Sequence, residues 1–263
     1  MEFKIIRNDI SNMEADAVVL PANPKLREGS GTSKAIFDRA GSKELKAACK
    51  ELLRCHGDIR VGFAVPTLGY GLAAKFILHA VVPKWKDGKH DEYRNLCSAY
   101  ISSLELADNL DCKSVAFPLL ASGNNKFDKE LAMQIAVECI REYQPKHSLT
   151  EAILVIYGSG ITHLFKDHGY EVTEIIDASY EIGKDERIKL PHEHVVNEAK
   201  KLADLYVIDS LKKALEFIED PKTVEAVQKE AGKALLGAVD MVPGIVIDKI
   251  TQQIMREDKD ETL

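Results

Sequence analysis

Basic charge is not in excess in this chain of 263 residues: 35 lysines and arginines stand against 42 aspartates and glutamates, a net charge of −7. Affinity for a nucleic-acid backbone comes from Lys and Arg displacing counterions, so DNA or RNA backbone binding is not expected. A small anion is a different matter, because backbone N–H groups hold one without any side-chain charge. Long apolar runs are missing too. The most hydrophobic stretch, Ala234–Ile247, is 14 residues long and is interrupted by Asp240, Pro243 and Gly244, whereas a spanning helix needs about 20. No basic-then-apolar leader opens the sequence. These absences lead us to expect a soluble, cytoplasmic protein with no membrane span.

A disulfide framework and a metal motif are absent as well. Five cysteines (Cys49, Cys55, Cys97, Cys112, Cys139) are odd in number and widely scattered, which fits reduced, mostly buried thiols. Cys55-His56 and His192-Glu193-His194 have no second pair at metal-ligand spacing, so a metal is not expected. No internal repeat or low-complexity block is present.

What is there is an alternation of short apolar runs and helix-period segments. Strands are expected at 3–7, 16–21, 61–67, 75–82, 114–119, 152–157 and 171–176. Helices are expected at 32–40, 42–53 (with Ser42 as N-cap), 91–110, 128–143 (capped by Asp128) and 161–168. Near-continuous apolar strands between helices predict a three-layer α/β/α fold with a mixed sheet buried on both faces. From Tyr180 onward the strand pattern ends and 13 basic residues face 18 acidic ones. Helical patterns at Glu193–Glu219, Lys222–Val239 and Ile245–Arg256 mark residues 179–263 as a helical extension to a domain at 1–178. Its charge and helical stripes read first as a solvated face over a small packed bundle; the apolar Ala234–Ile247 run supports a second reading, an arm for a protein partner or for oligomerisation.

In such sheets ligands bind outside the carboxyl ends of the strands. Two of the loops there are rich in small residues. Gly29, Ser30, Gly31 and Thr32 precede a helix, where free N–H groups and the helix dipole favour negative charge. Leu120-Ala-Ser-Gly-Asn-Asn-Lys-Phe127 repeats the device after the 114–119 strand. Together the two loops could grip a diphosphate from both sides. Tyr157-Gly-Ser-Gly160 could add an aromatic wall.

These residues, in this order, resemble the macrodomain family over positions 1 to about 176. Asp16–Asn23 with Gly29–Ile36 resembles the family's strand end and first glycine-rich loop. Asn8-Asp9-Ile10-Ser11 is similar to its Gly-Asp-Ile-Thr, His79–Pro83 to its histidine-containing strand end, and Val115–Phe127 to its second phosphate loop. The resemblance implies ADP-ribose as the ligand, with no cofactor. It implies Asp9 and Ile10 at the adenine, and Gly29, Ser30, Gly31 and Thr32 in the first phosphate loop. Ser122, Gly123, Asn124 and Asn125 fall in the second. Asn23 and Phe127 are implied at the distal ribose, and Tyr157 falls on the same crevice. For Asp9 the residues alone suggest a turn or N-cap aspartate, and for His79 a satisfied core histidine.

Departures from the family pattern bear on catalysis. Leu20 replaces an asparagine and Ser30 a glycine. Ser33 stands where well-known hydrolases of the family keep an aspartate, and Asn125 where an aromatic residue is usual. No lysine lies in the 61–67 strand. One expectation is therefore binding of ADP-ribose or ADP-ribosylated protein, with hydrolysis of an ADP-ribosyl ester or O-acetyl-ADP-ribose in which Asn23 fixes the ribose or water. The others are a non-catalytic sensor acting through the helical tail, and a protein of the same fold whose retuned Asn124-Asn125-Lys126 loop binds another nucleotide metabolite or no nucleotide.

Overall fold

The computed structural model describes residues 1–174. The expected extension at 179–263, with its three helical patterns, lies outside the described residues, as does the end of the expected 171–176 strand. The strands are β1 Glu2–Arg7, β2 Ala17–Ala22, β3 Ala64–Leu68, β4 Phe76–Val81, β5 Ser114–Pro118, β6 Glu151–Ile156 and β7 Thr173–Glu174. The helices are α1 Thr32–Ala40, α2 Ser42–His56, α3 Glu92–Asn109, α4 Lys129–Glu142 and α5 Ser159–Asp167. A 3-10 turn at Ile10–Asn12 follows β1.

The seven strands form one sheet in the order β3-β4-β2-β5-β6-β1-β7. All neighbours are parallel except β3 and β4. Alternation along each strand sends side chains to two cores. Val18 and Leu20 of β2 pack with Ile36, Phe37 and Leu45 of α1 and α2. Ala17 and Val19 pack with Leu96, Tyr100, Ile135 and Cys139 of α3 and α4. Burial on both faces explains why the strands read as continuous apolar runs. The three-layer α/β/α architecture with a mixed sheet is the one expected.

Two helix starts can be compared with expectation. Asp128 caps α4, its Oδ1 accepting from the N–H groups of Glu130 at 3.0 Å and Leu131 at 3.2 Å. Ser42 does not cap α2: it is the first helical residue, and the cap position is Gly41 at φ 105°. With α1 ending one residue earlier, only a residue at ease with positive φ can turn the chain there. Among the described residues no helix is long and apolar enough to cross a membrane.

The candidate crevice at the carboxyl ends of β2 and β5

The sheet opens where two neighbouring strands stop pairing. β2 pairs with β4 along its whole length, from Ala17↔Phe76 to Ala22↔Val81. Against β5 it pairs only at Ala17↔Val115 and Val18↔Ala116. Pro21 and Pro118, near the ends of the two strands, have no N–H with which to extend that ladder. The chain also leaves in opposite directions here: β2 leads to β3 and β4 on one side, β5 to β6 on the other. A parting of connections of this kind is where open α/β sheets hold ligands.

Loop 1, residues 23–31, leaves β2 through a tight turn. The Asn23 side chain closes that turn: its Nδ2 donates to the Arg27 carbonyl at 2.7 Å, and its Oδ1 accepts from the N–H groups of Lys25 and Arg27. One amide hydrogen of Asn23 remains beyond those bonds. Gly31, at φ 58°, is the cap position of α1, and no side chain caps the helix. Its first N–H groups, Thr32 onward, are thus open to an anion. Ser33 is 5% exposed, and its Oγ accepts from the Gly29 N–H at 3.0 Å. The Ser33 hydroxyl is thus turned back to hold loop 1. Glu28, the carboxylate in this loop, pairs with Lys34 and Lys46.

Loop 2, residues 119–128, is held from behind. The buried Tyr100 hydroxyl accepts from the Leu120 N–H at 2.9 Å. Ser122 Oγ donates to the Leu119 carbonyl. The Trp85 N–H donates to the Asn125 carbonyl at 2.8 Å. Ala121 and Lys126, both at φ 63°, bend the loop at either side of its exposed tip, Gly123-Asn124. Across the crevice, Asn124 Nδ2 donates to Ser30 Oγ at 2.5 Å, joining the two loops. Phe127 is 3% exposed and meets Trp85 edge-on at 5.2 Å, so its ring belongs to the core beneath the loop.

At the other end of the crevice β1 and β6 run side by side. Asp9 caps the 3-10 turn: its Oδ1 accepts from both the N–H and the hydroxyl of Ser11 at 2.8 Å. Its Oδ2 has no hydrogen bond among the described residues, so the capping role leaves one carboxylate oxygen available. Ile10 is buried in that turn. Tyr157, at the end of β6, is 65% exposed. The structure therefore brings loops 1 and 2 together at the centre and sets Asp9, Ile10 and Tyr157 on the strands to one side.

His79 lies apart from this chemistry. It is fully buried, its Nε2 is 3.0 Å from Thr67 Oγ1, and its Nδ1 has no partner among the described residues. Burial holds its pKa down at about 3. It is a core histidine, as the residues suggest, though only half satisfied. Asp16 is structural: burial works against its charge, but the Lys113 N–H at 2.7 Å and Lys75 Nζ at 3.0 Å outweigh that and lower its pKa.

The sequence does not single out Trp85, Tyr100 or Glu92. Glu92 is 2% exposed and gathers the N–H groups of Lys86, Asp87, Gly88 and His90. Burial opposes its charge, yet those donors bring its pKa to about 2. Asp87, His90 and Glu92 also come within ligand distance of one another, but both Glu92 oxygens are engaged by the backbone. The one available signal is that Trp85 is the sole tryptophan and lies four residues beyond the end of β4; its contact with Asn125 is purely tertiary.

Known proteins are similar to this chain over the described region. The Macro domain model matches residues 19–136. A macro domain-containing protein of Caldanaerobacter subterraneus subsp. tengcongensis is 37% identical over 171 residues, 65% of this chain and 93% of the relative. A protein of Escherichia fergusonii named O-acetyl-ADP-ribose deacetylase is 36% identical over 152 residues, 58% of this chain and 85% of that one. Among solved structures, the Oceanobacillus iheyensis macrodomain with ADP superposes with a TM-score of 0.57 at 26% identity, covering 62% of this chain and 87% of the other.

Proposed function

Because the chain belongs to the macro domain family, we propose that it binds ADP-ribose, free or attached to protein, in the crevice between β2 and β5. The observation that carries this reading is the split in the sheet, with two donor-rich loops meeting over it through Ser30 and Asn124. The diphosphate lies between loops 1 and 2, where the uncapped α1 N-terminus and the backbone of Ser122–Asn125 offer N–H groups. The adenine lies toward Asp9, whose free carboxylate oxygen accepts from its amino group, with Ile10 and Tyr157 beside it. The distal ribose lies toward Asn23.

The 36% identity to a protein named O-acetyl-ADP-ribose deacetylase supports ester hydrolysis at the distal ribose. Water adds to the ester carbonyl, the acyl carbon–oxygen bond breaks, acetate leaves and the ribose hydroxyl takes a proton. In this reading the remaining amide hydrogen of Asn23 orients the ribose, and the loop N–H groups stabilise developing charge. A second reading, a reader without turnover, is favoured by Ser33, whose Oγ faces Gly29 and supplies no general base.

Calorimetric titration with ADP-ribose, on the wild type and on Asp9→Ala, tests the binding reading. Micromolar affinity, weakened about tenfold or more by the substitution, is expected. No binding by the wild type would refute it. Incubation with O-acetyl-ADP-ribose then separates the two readings: release of acetate that Asn23→Ala slows supports the hydrolase, and no release supports the reader.

A further inference from the structure

Both nitrogens of the His168 ring meet acceptors. Nδ1 lies 2.9 Å from the Leu164 carbonyl, one turn back along the chain, and Nε2 lies 2.8 Å from Glu130 Oε1. A carbonyl has no proton to give, and an ionised carboxylate has none either. The two bonds therefore hold together only when each nitrogen carries a hydrogen, which makes the ring an imidazolium.

The setting favours that form. His168 stands at the carboxyl end of α5 and Glu130 in the first turn of α4, so each charge complements the dipole of its own helix. The charges that act on the ring are Glu130 of α4 and Asp167 of α5, both acidic. Lys166, next to Asp167, is taken up by Glu174 of β7 at 2.9 Å. Asp128 and Lys129, one of each sign, precede Glu130 in the chain. The Leu164 carbonyl first, and Glu130 second, raise the pKa of His168 above its ordinary 6.5.

The pair joins the helices that follow two parts of the crevice. α5 starts two residues beyond Tyr157, and α4 starts directly after loop 2. In the proposed function, on which this step rests, the adenine lies beside Tyr157 and the diphosphate against loop 2. One ligand thus spans the elements that His168 and Glu130 fasten. A ligand that must order both parts loses less freedom when they are already fastened.

We propose that His168 and Glu130 form a pH-dependent clasp between α5 and α4, closed in mildly acid solution, that tightens the hold of the crevice on ADP-ribose. The clasp is complete below pH 6.5 and is lost as pH rises through the raised value of the folded protein.

Coupling of this kind is reciprocal, so the ligand must act back on the histidine. NMR titration of the histidine rings of the full chain, with His168 assigned by its absence from His168→Gln, reads its pKa with and without saturating ADP-ribose. The free protein is expected to give a value above 6.5, lowered by Glu130→Gln. ADP-ribose should raise it by about 0.5. Calorimetry should find wild-type affinity about two- to threefold higher at pH 6 than at pH 8.5, a difference missing from both variants. A value at or below 6.5 in the free wild type overturns the clasp. A raised value that ADP-ribose leaves unchanged, or a pH dependence that both variants keep, overturns its link to the crevice and leaves the reading of the ligand standing. Failure of the wild type to bind ADP-ribose at either pH overturns that reading and this inference together.

Discussion

Asn124 donates to Ser30 across 2.5 Å, so the tips of the loops that follow β2 and β5 are tied over the split between those strands. The bond needs the Ser30 hydroxyl, which a glycine at that position would lack. In the reading above, a ligand whose diphosphate lies between the loops must part the pair to enter or leave. Ser30→Gly and Asn124→Ala are each expected to speed ADP-ribose dissociation about threefold to tenfold, the worth of one hydrogen bond. Because both remove the same bond, the double variant should be no faster than the faster single one. Stopped-flow displacement of a fluorescent ADP-ribose measures this, and additive effects would show that the two residues act separately.

The fold was largely legible because local patterns and tertiary demands agree. β2 reads as an apolar run since both its faces are buried, and α4 announces its start with Asp128. Ser42 misled because its side chain suits an N-cap while the turn between α1 and α2 needs a positive φ, which Gly41 supplies. The loops of the crevice could be found from glycines at strand ends. Their fastening could not: Trp85 to Asn125, Tyr100 to Leu120 and Asn124 to Ser30 join residues 20 to 94 positions apart. Spacing carries no information about such pairs. Asn23 shows the same limit, since its amide serves its own turn before it serves any ligand.

His79 ties stability to acid. Burial lowers its pKa from 6.5 to about 3, so between those values the unfolded chain takes up a proton that the folded one does not. Stability contributed by neutral His79 is full above pH 6.5 and is lost as pH falls toward 3, with a slope of at most about 1.4 kcal/mol per pH unit. His79→Gln keeps a polar group but does not titrate. Urea unfolding at pH 7.5, 6 and 5 should show the wild type losing more stability than the variant; parallel losses would mean His79 is hydrated and protonated in the fold.

Glu105 on α3 has the opposite sign. Partial burial, only partly offset by Lys146, raises its pKa from 4.5 to about 7. A raised carboxylate pKa means ionisation opposes folding, so its penalty is absent below pH 4.5 and grows as pH rises through 7. Glu105→Gln is expected to stabilise the protein by about 1 kcal/mol at pH 8, a figure reduced for the side chain's partial exposure. At pH 4.5 the substitution should be neutral. Stabilisation of equal size at both pH values would point to packing and not to charge.

Trp85 makes the crevice observable without a label. It is the only tryptophan in the chain, its N–H holds the Asn125 carbonyl at 2.8 Å, and its ring lies edge-on to Phe127 at the base of loop 2. Any rearrangement of loop 2 on binding is therefore passed to the environment of the indole. Titration with ADP-ribose is expected to change the tryptophan emission and to saturate at the affinity found by calorimetry. Asp9→Ala should move that saturation to higher concentration without changing its final amplitude, because the substitution is made at the far end of the crevice. Trp85→Phe should silence the signal and keep the heat. Binding heat with unaltered emission would mean that loop 2 receives the diphosphate without moving, and that the bond between Ser30 and Asn124 stays closed over it.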